Sequence, residues 1–344
     1  MTGYERIMAA LKGEKPDRTP MMLHNFMAAA NEKGYTLNEF RQDPKKIARA
    51  FVDAARKYKL DGILIDIDTC MEANAIGVPT DFPNDEPARV TSGIAGGVEK
   101  CMEAMDPQKL YSNERIKILL EAVSLIKNEV GDEILVRGNA DQAPFSLAML
   151  SYGMENFMAD LLDEDMEEDI LKLIDRAYDV HIEYHKMIKS AGADITSFGD
   201  SSCGPDLISR AMYNKYAFPY HKRMAADLKK ENILTVCHIC GNLDNILEDV
   251  VAAGFPAIEV DYKTNIERAH ELMKGKCTMF GPIDPSGVFY FGTPDILEAQ
   301  AKRILDIFKG EGLVIGAGCA LPKGTPENNI FSFSNTVLAH GKYE

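Results

Sequence analysis

The sequence predicts an α/β protein built as a (β/α)8 TIM barrel, and three observations carry that prediction. Short apolar runs alternate with helix-length segments eight times, at 19–24, 61–67, 133–137, 194–198, 233–237, 257–261, 277–281 and 312–316. Such alternation favours a parallel sheet, and eight units favour closure into a barrel over an open doubly wound sheet. The runs lack sustained polar–apolar alternation, as expected of strands buried on both faces. Finally, polar side chains gather at the C-terminal ends of the runs, which in a barrel form one mouth where catalytic groups collect.

The elements follow in order. Residues 1–18 read as an N-terminal helical extension stopped by Gly13-Glu14-Lys15-Pro16. Asp43-Pro44 opens a helix with proline at its first position, running to Lys59. The strand Leu60 to Asp68 ends in carboxylates, and 70–95 reads as a loop or hairpin insertion rich in Pro, Asp and Gly. Asn113 to Val130 is helical, and after the 133–137 strand a loop, Gly138 to Asp141, leads into helices reaching Gly192. Helical spacing recurs over 207–230, 242–253, 266–273 and 294–308, and Thr325-Pro326-Glu327 opens a last helix.

Composition bounds the function. A chain of 344 residues with 46% hydrophobic content can bury a large core, and one barrel spanning 1–344 is the expected domain organisation. A formal net charge of −15 argues against nucleic acid, because phosphate binding needs clustered cations. No apolar run is long enough for a membrane span, and Met1 to Arg18 is charged and amphipathic rather than signal-like. Seven cysteines, an odd number in a chain this long, do not form a disulfide framework, which points to a reducing, cytoplasmic setting.

The stretch Val236-Cys237-His238-Ile239-Cys240-Gly241-Asn242 carries the chemistry. Side chains two apart on a strand share a face, so His238 and Cys240 can converge on one ion, and imidazole with thiolate suits zinc. Gly316-Ala317-Gly318-Cys319 ends the eighth run with another thiol. Spacing alone leaves two readings open: an open site of His238, Cys240 and Cys319, or a hydrogen-bonded core histidine beside small buried thiols. A closed structural zinc would need a fourth ligand, for which Cys203, Glu259 and Asp261 are candidates, yet the paired short-spaced knuckles of such sites are absent. Zn2+ with one imidazole and two thiolates is formally neutral, and a soft neutral centre suits capture of an incoming thiol as a thiolate.

Other mouth residues are weighed beside the triad. Glu259 is the candidate catalytic carboxylate after the sixth run, with Asp261 and Tyr262 beyond it as substrate contacts. Arg137, Asn139 and Asp141 suit an anionic substrate tail or brace their own loop, and Asn25, Asp200 and Ser202 are further substrate-binding candidates. Asp66 and Asp68 read as support, and His181, His185 and His221, on helices, as surface or packing residues.

Several segments carry a family likeness. The opening YERIMAALKGEKPDRTPMM, the middle APFSLAMLSYGMENFMADL at 143–161, LISRAMYNKYAFPYHKRM at 207–224, and above all HICGN at 238–242 and GAGCALPKGTPENNI at 316–330 bear on it. With these the chain resembles the uroporphyrinogen decarboxylase superfamily over nearly its whole length, and within it the zinc-dependent methylcobamide:coenzyme M methyltransferase branch. That resemblance implies a TIM barrel, zinc held by His238, Cys240 and Cys319, and a methylated corrinoid protein docked over the mouth. It also implies methyl transfer from the corrinoid to a small thiol. Two departures bear on substrate. The decarboxylase branch carries arginines after its first strand, where this chain has Leu23-His24-Asn25-Phe26-Met27; and Ala143 stands in NADQAPF where glycine is usual. Porphyrinogen decarboxylation is disfavoured, and the acceptor stays open among coenzyme M, another thiol and a pterin. The rival readings are a metal-independent decarboxylase of the same fold and a non-catalytic corrinoid-protein-binding module.

Overall fold

The computed structural model describes residues 1–343. Eight parallel strands form one sheet in chain order: β1 (Met22–Leu23), β2 (Gly62–Ile65), β3 (Leu135–Gln142), β4 (Ile195–Gly199), β5 (Thr235–Ile239), β6 (Ala257–Val260), β7 (Thr278–Ile283) and β8 (Leu313–Ala317). The sheet closes through a parallel bridge between Met21 and Ile315, where the Ile315 amide donates to the Pro20 carbonyl at 2.9 Å. This is the predicted (β/α)8 barrel.

Strand alternation divides the barrel interior into layers. One side chain from each strand fills the lowest layer: Met22, Leu64, Leu135, Ile195, Val236, Ala257, Phe280 and Val314. Ile7 and Ala10 of the N-terminal helix Gly3–Leu11 complete that cluster from below, so the expected helical extension is a plug in the barrel floor. Thr2 and Glu5 begin this helix as a capping box, and Thr278 Oγ1 donates to the Ala10 carbonyl, tying the plug to β7. Two residues further up, six of the eight inward positions are polar (His24, Asp66, Arg137, Ser197, His238 and Glu259), with Pro282 and Gly316 completing the layer, and the site lies there.

Helix starts follow their caps. Asp43 accepts from the Lys45 and Lys46 amides ahead of Pro44–Tyr58, and Asn113 accepts from Arg115 and Ile116 ahead of Glu114–Val130. The structure departs from expectation in four places. The helix expected over 242–253 is confined to Leu247–Ala252. Gly138 to Asp141, expected as a loop, belongs to β3, with an irregularity in pairing between Asn139 and Gln142. The 70–95 insertion begins with a helix, Met71–Ile76, before a two-stranded antiparallel hairpin of Thr80–Asp81 and Arg89–Val90. The helical stretch over 207–230 is broken at Ala217 into Arg210–Tyr216 and Phe218–Lys230, because Pro219 cannot donate the amide that a continuous helix needs.

Gly316 permits the closing seam. A Cβ there would sit 1.9 Å from the Met22 carbonyl oxygen, so β8 approaches β1 more closely than any side chain allows. Gly316→Ala is therefore expected to force the seam apart and destabilise the barrel by about 1–3 kcal/mol, as overpacking does. A thermal midpoint equal to that of the parent protein would contradict this account of closure.

Candidate metal centre and active site

β5 and β8 end on the same side of the mouth and bring three soft ligands together. His238 Nε2 lies 3.1 Å from Cys240 Sγ, and Cys240 Sγ lies 3.8 Å from Cys319 Sγ. The three form a group whose ligand atoms all fall within 4.8 Å of one another, each partly open to the surface. Local sequence explains the convergence. The i, i+2 spacing places His238 and Cys240 on one side of β5 as it ends. Gly318 lets the β8 end press against β6: a Cβ there would lie 2.8 Å from the Val260 carbonyl. Gly241 turns away with φ +94, and Asp261 holds that turn by accepting its amide at 2.8 Å.

The electrostatics of the triad are those of a charge pair. A hydrogen bond from Cys319, with the adjacent His238, holds the Cys240 thiol down to about 3 despite burial. Burial pushes the His238 imidazole down, but the Cys240 sulfur and Glu259 more than offset it and raise it to about 10. Cys319, giving its proton to Cys240 and buried, is pushed well above the usual thiol range. The metal-free triad is thus an imidazolium–thiolate pair with a neutral thiol beside it. Protons hold positions that a cation would take.

Beneath the triad runs a polar layer. Arg137 Nη2 meets Glu259 Oε2 at 2.5 Å, both side chains 3% exposed, and the guanidinium lies 5.3 Å over the Phe280 ring. Burial raises the Glu259 carboxyl, yet Arg137, His238 and His24 outweigh it and leave the group below its ordinary value. His238 Nδ1 lies 3.1 Å from the Glu259 carbonyl oxygen, which fixes Nε2 toward the sulfurs. Asn139 accepts from Ser197 on β4. His24 Nε2 pairs with Asp66 Oδ2 at 2.8 Å.

The remaining predicted residues take varied places. Asn25 is buried at the start of helix Phe26–Glu32 and makes no side-chain capping bond. Asp141, in a left-handed conformation at φ 58, is buried and accepts the Glu72 amide. Asp200 is fully buried, with one oxygen accepting from the Ser146 amide and hydroxyl and the other 2.8 Å from His221 Nε2. Ser202 sits half-buried in the turn Ser201–Cys203. Tyr262 is exposed at the rim. Cys203, weighed as a fourth ligand, is buried beside Asp200 and His221 and donates to the Asp200 carbonyl. Asp66 supports His24, and Asp68 pairs with Arg115.

Sequence reasoning passed over several groups. His24 is one: counting by twos from the inward Met22 marks it as inward, whereas attention went to its neighbour Asn25. Glu72 is another, on a helix where a loop was expected. The helical histidines are fully buried, not at the surface. His181 Nδ1 lies 3.1 Å from Glu72, His181 Nε2 lies 3.1 Å from His185 Nε2, and His185 Nδ1 lies 2.7 Å from Thr196 Oγ1. Burial raises Glu72 and lowers His181 to about 3, which disfavours charge on both, and the groups are bonded end to end.

Fold and site together define a TIM-barrel enzyme with a soft imidazole–dithiol donor set at its mouth. The chain belongs to the uroporphyrinogen decarboxylase family, whose model, described as Uroporphyrinogen decarboxylase (URO-D), matches residues 2–340. Among curated relatives, the methylcobamide:CoM methyltransferase MtbA of Methanosarcina mazei is 29% identical over 340 residues, covering 96% of each chain. A uroporphyrinogen decarboxylase of Carboxydothermus hydrogenoformans is 25% identical over 339 residues, covering 94% of this chain and 93% of its own. A solved methyltransferase from Methanosarcina mazei shares the fold with a TM-score of 0.90 at 23% identity, covering 98% of this chain and 99% of that one.

Two outcomes follow from the site's electrostatics. In metal-free protein, iodoacetamide should alkylate Cys240 at a rate nearly flat from pH 5 to 8, where an ordinary thiol gains about tenfold per unit below 8.5. His238→Ala should steepen that profile, as peptide mass spectrometry would read. Removing Arg137 strands the Glu259 carboxylate. Because Glu259 is held below its ordinary value, its stabilisation is present above the unfolded pKa and lost as pH falls through the folded one. Arg137→Ala should thus cost about 3–5 kcal/mol at pH 7 and less near about pH 3.5, below the carboxyl's ordinary value. Urea unfolding at the two pH values decides it; an equal loss at both refutes the charge argument.

Proposed function

We propose that this protein transfers a methyl group from a methylated corrinoid, carried by a corrinoid protein, to a small thiol, with zinc held by His238, Cys240 and Cys319. The observation that carries the reading is the convergence of one imidazole and two thiols from β5 and β8. The donor set fits the ion. Tetrahedral zinc with bonds of about 2.3 Å to sulfur sets its two thiolates roughly 3.8 Å apart, and the Cys240–Cys319 separation is 3.8 Å. Supporting it, the related enzymes named above include a methylcobamide:CoM methyltransferase aligned across 96% of the chain.

Bound zinc would lower the pKa of an entering thiol from about 8.5 while leaving the sulfur nucleophilic. The chain's own residues prepare for that. The Glu259 carbonyl orients His238 through Nδ1, and Arg137 holds the Glu259 carboxylate from across the barrel. A ligand set with two anionic sulfurs leaves no net charge for the substrate to balance. Three protein ligands leave a fourth position toward the mouth, where Tyr262 lies exposed at the rim. The plugged floor closes the interior from below, so substrates enter at the mouth alone.

Zinc analysis and a methyl-transfer assay test the reading together. Wild-type protein should retain about one zinc per chain after dialysis and convert methylcobalamin to cob(I)alamin only when a thiol is supplied. Cys319→Ala should lose the metal and at least ~100-fold in rate, the scale by which metal-site changes act. Assaying coenzyme M, homocysteine and tetrahydrofolate in turn identifies the acceptor. Full activity in zinc-free protein sinks the proposal, as does Cys319→Ala with full zinc and full activity.

A further inference from the structure

The face opposite the mouth holds a depression of about 540 Å3, within the size range of small-molecule sites. Three segments that enter the barrel from below enclose it: the end of the plug helix, the Lys274–Cys277 turn before β7, and the Gly310–Gly312 turn before β8. Its floor is apolar. Leu11 and Met273 flank Phe308, over which the His270 ring packs at 4.5 Å. His270 Nε2 is buried there without a hydrogen-bond partner, and such an atom costs stability unless something satisfies it.

Its rim is cationic, against the sense of the whole molecule. Lys12, Lys15, Lys274 and Lys276 line it together with Glu14 and Glu311, four lysines against two glutamates in a chain whose formal net charge is −15. Lys274 pairs with Glu311 at 2.9 Å, while Lys12, Lys15 and Lys276 have no carboxylate within 4 Å among the described residues. A second depression of about 270 Å3 shares Lys15 and adds Lys309 and Lys342, extending the positive rim. Lys274 holds the Glu311 carboxyl below its ordinary range, with His270 and Lys15 contributing. Converging like charges repel one another unless an anion lies among them, and a concave surface focuses their field.

We propose that this depression binds an organic polyanion, a small molecule with at least two negative charges on a flat or apolar body, remote from the metal triad. The lysines would take the charged end. The Phe308–His270 floor would take the body by packing against it. Nothing in this inference depends on the methyl-transfer reading.

Calorimetric titration of the zinc-loaded full chain in about 0.15 M salt, where loose counterion attraction is largely screened, tests it. The probes are ATP, which joins a polyanion to a flat body, and pyrophosphate, which is charge alone. ATP should bind saturably at one site, with pyrophosphate at least tenfold weaker. The double variant Lys12→Glu/Lys276→Glu should weaken both by tenfold or more and leave the far-ultraviolet circular dichroism unchanged; both positions are exposed, so the fold tolerates them. His270→Gln should weaken ATP and spare pyrophosphate, which separates recognition of the body from attraction of charge. Absence of saturable binding by either probe overturns the proposal, and so does affinity that the charge reversals leave untouched.

Discussion

The buried pair of Arg137 and Glu259 is the constraint on which the site rests. These side chains reach from β3 and β6 into the middle of the barrel, one layer above its apolar floor. Desolvating two charges is costly and is repaid only by close geometry and further hydrogen bonds. Here the repayment is shared: Arg137 lies over Phe280, and Glu259 sees His238 and His24 as well as Arg137. The backbone carbonyl of the same Glu259 sets the tautomer of His238, so the imidazole's aim depends on β6 staying in register with β5. An apolar side chain at 259 would keep that carbonyl but remove the carboxylate that lies 4.0 Å from His238 Nδ1.

Around that layer the framework is polar and hydrogen-bonded. Glu72, His181, His185 and Thr196 form a bonded file from the helix Met71–Ile76 to β4, and Asp200 ties Ser146 to His221 and, through it, Tyr213. Burial favours uncharged forms, and end-to-end bonding satisfies each group without a salt bridge to solvent. These networks hold the loops after β2, β3 and β4.

Much of this was legible in the chain. Eight apolar runs located eight strands, and the order of the sheet follows the order of the runs. His238 and Cys240 were legible from a spacing of two, and Cys319 from the glycines that precede it. What stayed hidden depended on register or on distance in the chain. β1 is only two residues long, too short for alternation to distinguish His24 from Asn25. Gly138 read as a turn residue, yet it lies in β3 because a Cβ there would meet Ile188 Cγ2 at 2.3 Å, a contact no sequence pattern reveals. The partner of Glu72 is 109 residues away, and nothing local to either residue announces the other.

Barrel closure joins segments from opposite ends of the chain: Met21 bridges Ile315, and the hydroxyls of Thr19 and Tyr343 meet across 324 residues. Loop-closure entropy must be overcome before such contacts give anything back, so the β1–β8 seam is an expensive joint to make and a natural one to open first. A cation held jointly by β5 and β8 would span three of the eight strand-to-strand junctions, the stretch of wall that ends at that seam. Such an ion stabilises only the closed form, by an amount that grows with its free concentration. With such an ion bound, metal supply and barrel integrity would become one equilibrium.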